Sequence, residues 1–258
     1  MNKKEKRFAE IVGLVQKKNS ISIHELAEIC NKSEITIRRD VAELERREQI
    51  RNIRGVVLPK NEFGAYNLGE AGNENMPAKK SIGRYAASLI LPEETVIIDS
   101  GTTTEQIAAN IPYDVHITVL CFNINVMLNL YKKPNVGLIL AGGRYHTQTE
   151  MFESNEGLEI IKRTRANKVF VSAAGIRHDL GVTCTSEYEL ASKRAILKAG
   201  IEKILVADSS KFGQLSPCYI GMVQNFDKII TDENLSSEWE NWIKTKGVEL
   251  VKVPIVQA

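Results

Sequence analysis

The stretch Ser33-Glu34-Ile35-Thr36-Ile37-Arg38-Arg39-Asp40-Val41 decides how the first sixty residues fold. Ser33 can accept a hydrogen bond from an orphan amide of a helix first turn. Ile37, Val41 and Leu44 then recur at helical spacing and give that helix one apolar side. With Ile37 and Val41 turned inward, a rotation of about 100° per residue carries Arg39 to the opposite side, flanked by Thr36 and Arg38. Arginine suits both guanine edges and phosphates, and Ser33 stands where a backbone phosphate can meet it.

Working outward, Ser22-Ile23-His24-Glu25 has the spacing of a capping box, and Ile23, Leu26, Ala27 and Cys30 give a shorter helix its apolar side. Asn31-Lys32 interrupts the pattern. A short capped helix, a turn and a longer capped helix make a helix-turn-helix. Upstream, Phe8, Ile11, Val12 and Val15 supply a supporting helix. Downstream, Gln49 to Val57 alternates Ile and Val around Gly55, which predicts a β-hairpin wing carrying Arg51 and Arg54 beside a duplex. The expected DNA-facing set is Ser22, Ser33, Thr36, Arg38, Arg39, Arg51 and Arg54.

Charge agrees with this division. Residues 1–60 hold 14 Lys/Arg against 9 Asp/Glu, whereas the remainder holds 20 against 23, so a net of +5 is joined to a net of −3. That asymmetry suits a polyanion-binding module attached to a neutral-to-acidic partner domain. The four cysteines lie far apart, with no C-x-x-C pair, which argues against a zinc site or a disulfide framework. No metal and no cofactor are expected. No apolar run approaches the roughly 20 residues of a membrane span. The N-terminus lacks the apolar core of a signal peptide, so the cytoplasm is the expected location.

The chain divides on this reading into a winged helix-turn-helix at 1–58, a linker at 59–77 and an α/β domain at 78–258. The linker is Gly- and Asn-rich between Lys60 and Pro77. A helical pattern resumes around Ile82, Ala86 and Leu89. Beyond it, Thr95–Ile98, Ile117–Leu120, Val136–Leu140, Val169–Ser172, Ile204–Ala207 and Ile229–Ile230 read as strands alternating with helices. Such alternation predicts a doubly wound, mostly parallel sheet.

Ligands of such sheets collect beyond the C-terminal ends of the strands. After the first strand stands Asp99-Ser100-Gly101-Thr102-Thr103-Thr104. There Gly101 permits close backbone approach, while Thr102, Thr103 and Thr104 and the helix amides can donate to a phosphate. Asp99 is better suited to sugar hydroxyls. Later turns bring Asn123, Gly142-Gly143, Gly175 and the run Asp208-Ser209-Ser210-Lys211-Phe212-Gly213, whose Lys211 can neutralise a phosphate. Glu187 and Lys193, on the helix after Gly181-Val182-Thr183, are expected to face the same cleft, although an exposed ion pair is an alternative for both.

These residues carry a resemblance to the DeoR family of bacterial repressors. The N-terminal run resembles its S-x-x-T-I-R-R-D-L signature followed by an R-x-x-G-G wing, with Val41 standing for Leu and Val56 for the second Gly. The turns at Asp99–Thr103 and Asp208–Gly213 are similar to its sensor-domain motifs D-x-G-T-T and D-x-S-K-F-G. The resemblance implies a sensor fold related to ribose-5-phosphate isomerase and CoA transferases. It implies phosphate binding by Gly101 to Thr104 with help from Lys211, and a sugar end lined by Asp99, Asn123, Gly143, Gly175 and Glu187. Within the family, Ala141 to His146, Ser172 to Gly175 and Gly181 to Cys184 look most like repressors of deoxyribose operons, which implies deoxyribose-5-phosphate as effector.

The expected function is therefore an operator-binding repressor released by a phosphorylated sugar. It is expected to be a homo-oligomer, because small helix-turn-helix modules read paired half-sites. The competing readings are a repressor answering to a different sugar phosphate and a sugar-phosphate isomerase-like enzyme with a DNA-binding head and Glu187 as base. A second acid/base group at a suitable spacing is missing from the enzyme reading.

Overall fold

Phe8, Ile11 and Val15 are buried along one side of α1 (Lys3–Lys18), and the helix packs by that stripe onto α2 (Ile23–Ile29) and α3 (Glu34–Arg46). The computed structural model describes residues 3–18, 20–60 and 74–256. The linker segment 61–73 lies outside the described residues. In α3 the inward set is Ile37, Val41 and Leu44, each fully buried, as the helical phase requires. Asp40 is also buried, and accepts from the Arg7 guanidinium of α1 at 2.5 and 3.0 Å. Burying a carboxylate without such a partner would be costly.

The turn between α2 and α3 passes through Asn31 at φ 49°, a left-handed position that asparagine tolerates. Ser22 opens α2 by accepting from the Glu25 amide at 3.1 Å. The Glu25 carboxylate does not return to the cap; it pairs with Lys18. The capping box is thus half formed, because a cation on α1 competes for its acid.

The wing is a three-stranded antiparallel sheet in the order β1-β3-β2, made of β1 (Ile21–Ser22), β2 (Ile50–Ile53) and β3 (Val56–Pro59). Arg54 and Gly55 join β2 to β3 at φ 49° and 84°. Two positive φ values in a two-residue loop match the twist of a hairpin.

The second unit is built on a seven-stranded sheet in the order β15-β14-β12-β9-β4-β5-β6, parallel throughout. Its strands are β4 (Thr95–Ile98), β5 (Ile117–Cys121), β6 (Val136–Leu140), β9 (Ala166–Ser172), β12 (Gly200–Val206), β14 (Lys228–Asp232) and β15 (Glu249–Val253). Side chains alternate across it. Val96 and Ile98 point into one core with Ile82, Ala86 and Ile107, contributed by α4 (Met76–Ser88) and α5 (Thr102–Asn110). Ile97, Val169, Val171 and Leu205 point into the other with Ile161 of α7 (Asn155–Arg163) and Ile196 of α8 (Glu187–Ala199). Helices on both faces of a parallel sheet define the doubly wound class. Helix α4 begins at Met76, inside the segment read from the sequence as linker.

Two smaller sheets stand outside this frame: β7 (Arg144–His146) with β8 (Met151–Glu153), and β10 (Gly175–Arg177), β11 (Gly181–Cys184) and β13 (Cys218–Gly221). Among the described residues the remaining α-helices are α6 (Ile124–Leu130) and α9 (Ser237–Thr245). All four cysteines are free thiols. No helix among the described residues is long and apolar enough to cross a membrane.

Candidate DNA interface and effector site

Opposite its buried stripe, α3 presents Ile35, Arg38 and Arg39 to solvent. Arg38 forms an i,i+4 pair with Glu34 at 3.3 Å, whereas Arg39 makes no ion pair among the described residues. Ser33 caps the helix by accepting from the Thr36 amide at 3.3 Å, and the two hydroxyls lie 2.9 Å apart. Ser22 spends its oxygen on the α2 cap. Ile35 escaped the sequence reading because it lies off the apolar stripe, yet it is 72% exposed near the start of the helix. An apolar side chain there suits a thymine methyl in a major groove. Arg51 and Arg54 are exposed on the wing. Arg39→Ala is expected to weaken operator binding by about 1–3 kcal/mol at fixed salt, measured by fluorescence anisotropy; unchanged affinity would refute the assigned helical face.

In the larger unit, the chain runs from β4 outward to β5 and β6, then returns to the far side of β4 for β9 and β12. The order therefore reverses between β4 and β9, the switch point beyond whose strand ends ligands of such sheets collect. Gly101 stands there at φ 149° as the residue before α5. A Cβ on Gly101 would lie 2.7 Å from Ser172 Oγ at the end of β9, so only glycine lets the two turns close on each other. Thr102 and Thr103 lie in the first turn of α5, while the Thr104 hydroxyl donates to the Gly101 carbonyl at 2.9 Å.

Below this turn lies a buried ionic network. The Lys193 ammonium donates to Asp99 Oδ2 at 2.5 Å and to Ser172 Oγ at 3.1 Å, and Glu189 stands 3.7 Å away. Asp99 Oδ2 also accepts from the Ser172 amide at 2.9 Å. Burial would depress Lys193, but the Asp99 and Glu189 carboxylates more than reverse that and hold it above its ordinary value. Burial raises the Glu189 carboxyl, with Lys193 opposing. Asp99 and Lys193 are fully buried and pair with each other; the sequence sets Asp99 at the sugar end and leaves Lys193 between the cleft and an ion pair. Glu187 is exposed and stands apart from the network, whose second carboxylate is Glu189, which also accepts from the Ser186 amide at 2.9 Å. The signal for Glu189 was its i,i+4 spacing to Lys193.

Two lysines, Lys79 and Lys211, lie close enough to interact electrostatically. Lys211 sits on the 3-10 turn Ser209–Lys211 beyond β12, a turn tied by Asp232 accepting from the Ser209 amide at 2.6 Å and by Asp208 accepting from the Ser210 amide at 3.1 Å. Asn75, at the start of α4, donates to Asp208 Oδ1 and to Ser210 Oγ, both at 3.1 Å. Gly83 leaves room for Gln106, whose Cβ would be 2.4 Å from an added Cβ, so α4 and α5 touch. One turn back from that contact on each helix lie Lys79 and Thr102. Lys79 is 1% exposed; burial lowers its ammonium below the ordinary value, and neighbouring Lys211 pushes it the same way. Lys79 went unread although it shares the helical stripe of Ile82 and Ala86.

Asn123, at the end of β5, is completely buried, and neither its Nδ2 nor its Oδ1 has a hydrogen-bond partner among the described residues. Buried amides are rarely left bare without a ligand or water to meet them. Gly143 and Gly175 serve close packing. Their missing Cβ atoms would lie 2.3 Å from the Glu153 carbonyl oxygen and 2.6 Å from that of Gln214. Gly142 has open space where a Cβ would stand.

A helix-turn-helix with a wing, joined to a doubly wound α/β unit with a Gly-Thr turn at its switch point, defines a ligand-responsive class of DNA-binding regulator. Residues 7–62 match the DeoR-like helix-turn-helix domain and residues 74–233 match the DeoR C terminal sensor domain, and the chain belongs to the DeoR family. It is 26% identical over 250 residues to the deoxyribose operon repressor of Escherichia coli (strain K12), across 96% of this chain and 98% of that protein. It is 29% identical over 231 residues to the HTH-type transcriptional regulator GolR of Listeria innocua, across 89% and 91%. Among solved structures, ribose 5 phosphate isomerase A from Neisseria gonorrhoeae aligns over 54% of this chain and 53% of its own, at 12% identity and a TM-score of 0.39.

Proposed function

We propose that this regulator is a repressor that leaves its operator when deoxyribose-5-phosphate occupies the crevice between β4 and β9. The observation that carries the reading is the Gly101 turn, which opens α5 with buried Thr102 and Thr103 in its first turn; we place Lys79 and Lys211, close enough to each other to repel and with Asp208 near both, beside it. Two ammonium groups and oriented helix amides favour a phosphate dianion there. Gly101, Thr102 and Thr103 supply close backbone and hydroxyl donors. The bare Asn123 amide is the group to read a sugar hydroxyl, because leaving it unpaired would penalise the wrong ligand. The deoxyribose part of the proposal is supported by the name of the Escherichia coli relative. Asp99 and Glu189 are both held by Lys193, which favours a sensing site over one that moves protons. We further propose that the protein works in the cytoplasm as a homo-oligomer on paired half-sites, with the winged helix-turn-helix reading DNA and the α/β unit, from α4 onward, sensing.

Release requires the effector to prefer the arrangement with low operator affinity; tight binding alone shifts nothing. The test is an operator-anisotropy titration with deoxyribose-5-phosphate, ribose-5-phosphate and other sugar phosphates, paired with thermal shift. Deoxyribose-5-phosphate is expected to release the complex and to raise the melting temperature. Release by a different sugar phosphate alone would overturn the deoxyribose assignment. Ketose formation from ribose-5-phosphate would overturn the sensing reading.

A further inference from the structure

Strand β3 is central in the wing sheet, and its side chains alternate between two neighbours. Val57 faces the helix-turn-helix core, whereas Val56 and Leu58 face the other way and are buried against Leu215 of the sensor unit, with Ile53 and Leu180 packed alongside. Polar bonds reinforce the contact. The Ser20 hydroxyl, just before β1, donates to Gln214 Oε1 at 2.8 Å and accepts from the Leu215 amide at 3.2 Å. The Val56 position, where the family wing signature has glycine, is thus an interface residue.

Leu215 lies four residues beyond Lys211 on one continuous stretch. Its first part, Asp208 to Lys211, holds the 3-10 turn beyond β12 that lies near Lys79 and that the effector reading places at the ligand. Its last part rests on the small sheet: the Gly213 amide donates to the Ile176 carbonyl at 2.8 Å, and the Ser216 amide to Thr183 Oγ1 at 3.0 Å. Gly213 turns the chain between them at φ 86°.

We propose that Asp208–Ser216 is the coupling segment of this protein, an interaction surface for the wing whose position follows occupancy of the crevice. Its sensory meaning rests on the effector reading above. A phosphate that draws Lys211 towards α5 moves the 3-10 turn, and the turn carries Gln214 and Leu215 with it. The wing sheet then tilts against α3, so Arg51 and Arg54 no longer address DNA together with Arg39.

The test is a double-mutant cycle on operator affinity in the full-length protein, with and without deoxyribose-5-phosphate. Asp208→Ala perturbs the effector end and Ser20→Ala the wing end; Asn75→Gly, which removes two hydrogen bonds to the same turn and tolerates the left-handed φ of 52° there, replaces Asp208→Ala if that variant fails to fold. Distant, independent sites add, whereas coupled ones depart from additivity by on the order of threefold or more in Kd. Non-additivity is expected without any effector, and Ser20→Ala is expected to blunt release by deoxyribose-5-phosphate while thermal shift by the same compound persists. Additive effects together with undiminished release in Ser20→Ala would overturn the coupling. A non-additive cycle in a protein that deoxyribose-5-phosphate does not release would uphold the coupling and refute the effector instead. Additivity without any release would overturn both.

Discussion

Lys193→Met is expected to lower the melting temperature of the sensor domain by roughly 10 °C. Methionine fills nearly the same volume, so the loss comes from charge and not from a cavity. Removing one partner of a buried ion pair leaves the other uncompensated and costs about 3–5 kcal/mol. For a domain of this size each kcal/mol moves the midpoint by about 2–4 °C. Asp99 is fully buried with Glu189 close by, so the variant would hold two carboxylates facing each other without a cation. Glu189→Gln should cost less, because burial already raises that carboxyl and its neutral form is tolerated. Asp99→Asn in the Lys193→Met background should recover part of the loss. The sign of the pH dependence follows from Lys193, whose folded-state affinity for its proton is raised. Its contribution is complete below the ammonium's unfolded-state range and is lost as pH rises through the higher folded-state value, so the gap between variant and parent is full at neutral pH. Thermal melting followed by circular dichroism measures this; equal midpoints would show that the network stabilises nothing.

The parts of the fold that follow a single period were legible. Ile37, Val41 and Leu44 had to share a face, and the β-branched runs from Thr95 onward had to alternate with helices. The legible part of the effector site was the part made of backbone: a Gly-Thr turn after a strand announces a helix N-terminus wherever it occurs. What escaped depended on three-dimensional neighbours. Lys79 lies within an apolar stripe, but nothing in the chain reveals that Lys211, more than a hundred residues on, stands beside it. Glu189 has the i,i+4 spacing to Lys193 that Glu187 lacks, but only the rotation of α8 shows that this pair is buried while Glu187 stands in solvent. Gly143 and Gly175 read as ligand glycines because a close approach of backbone to backbone has the same signature as a close approach of backbone to phosphate. Val56 looked like a departure from a wing motif until Leu215 was seen against it.

Gly101→Val is expected to abolish the effector response while operator affinity without effector stays near that of the parent. Gly101 sits at φ 149°, where a β-branched residue is strained, and an added Cβ meets Ser172 Oγ at 2.7 Å and Ser172 Cβ at 2.9 Å. Neither atom can yield easily, because Ser172 Oγ donates to the Ser100 carbonyl at 2.6 Å and its amide is held by Asp99. The turn must therefore open, carrying the first amides of α5 away from the position a phosphate would take. Losing two charge-assisted hydrogen bonds costs about 3 kcal/mol or more, on the order of a 100-fold rise in effector Kd. The strain itself destabilises by about 1–3 kcal/mol, which leaves the domain folded and the helix-turn-helix untouched. Binding to deoxyribose-5-phosphate by calorimetry and release from operator DNA by anisotropy together read the outcome. A Gly101→Val protein that still binds and releases like the parent would move the phosphate away from α5, and with it the reason for Lys79 and Lys211 to stand where they do.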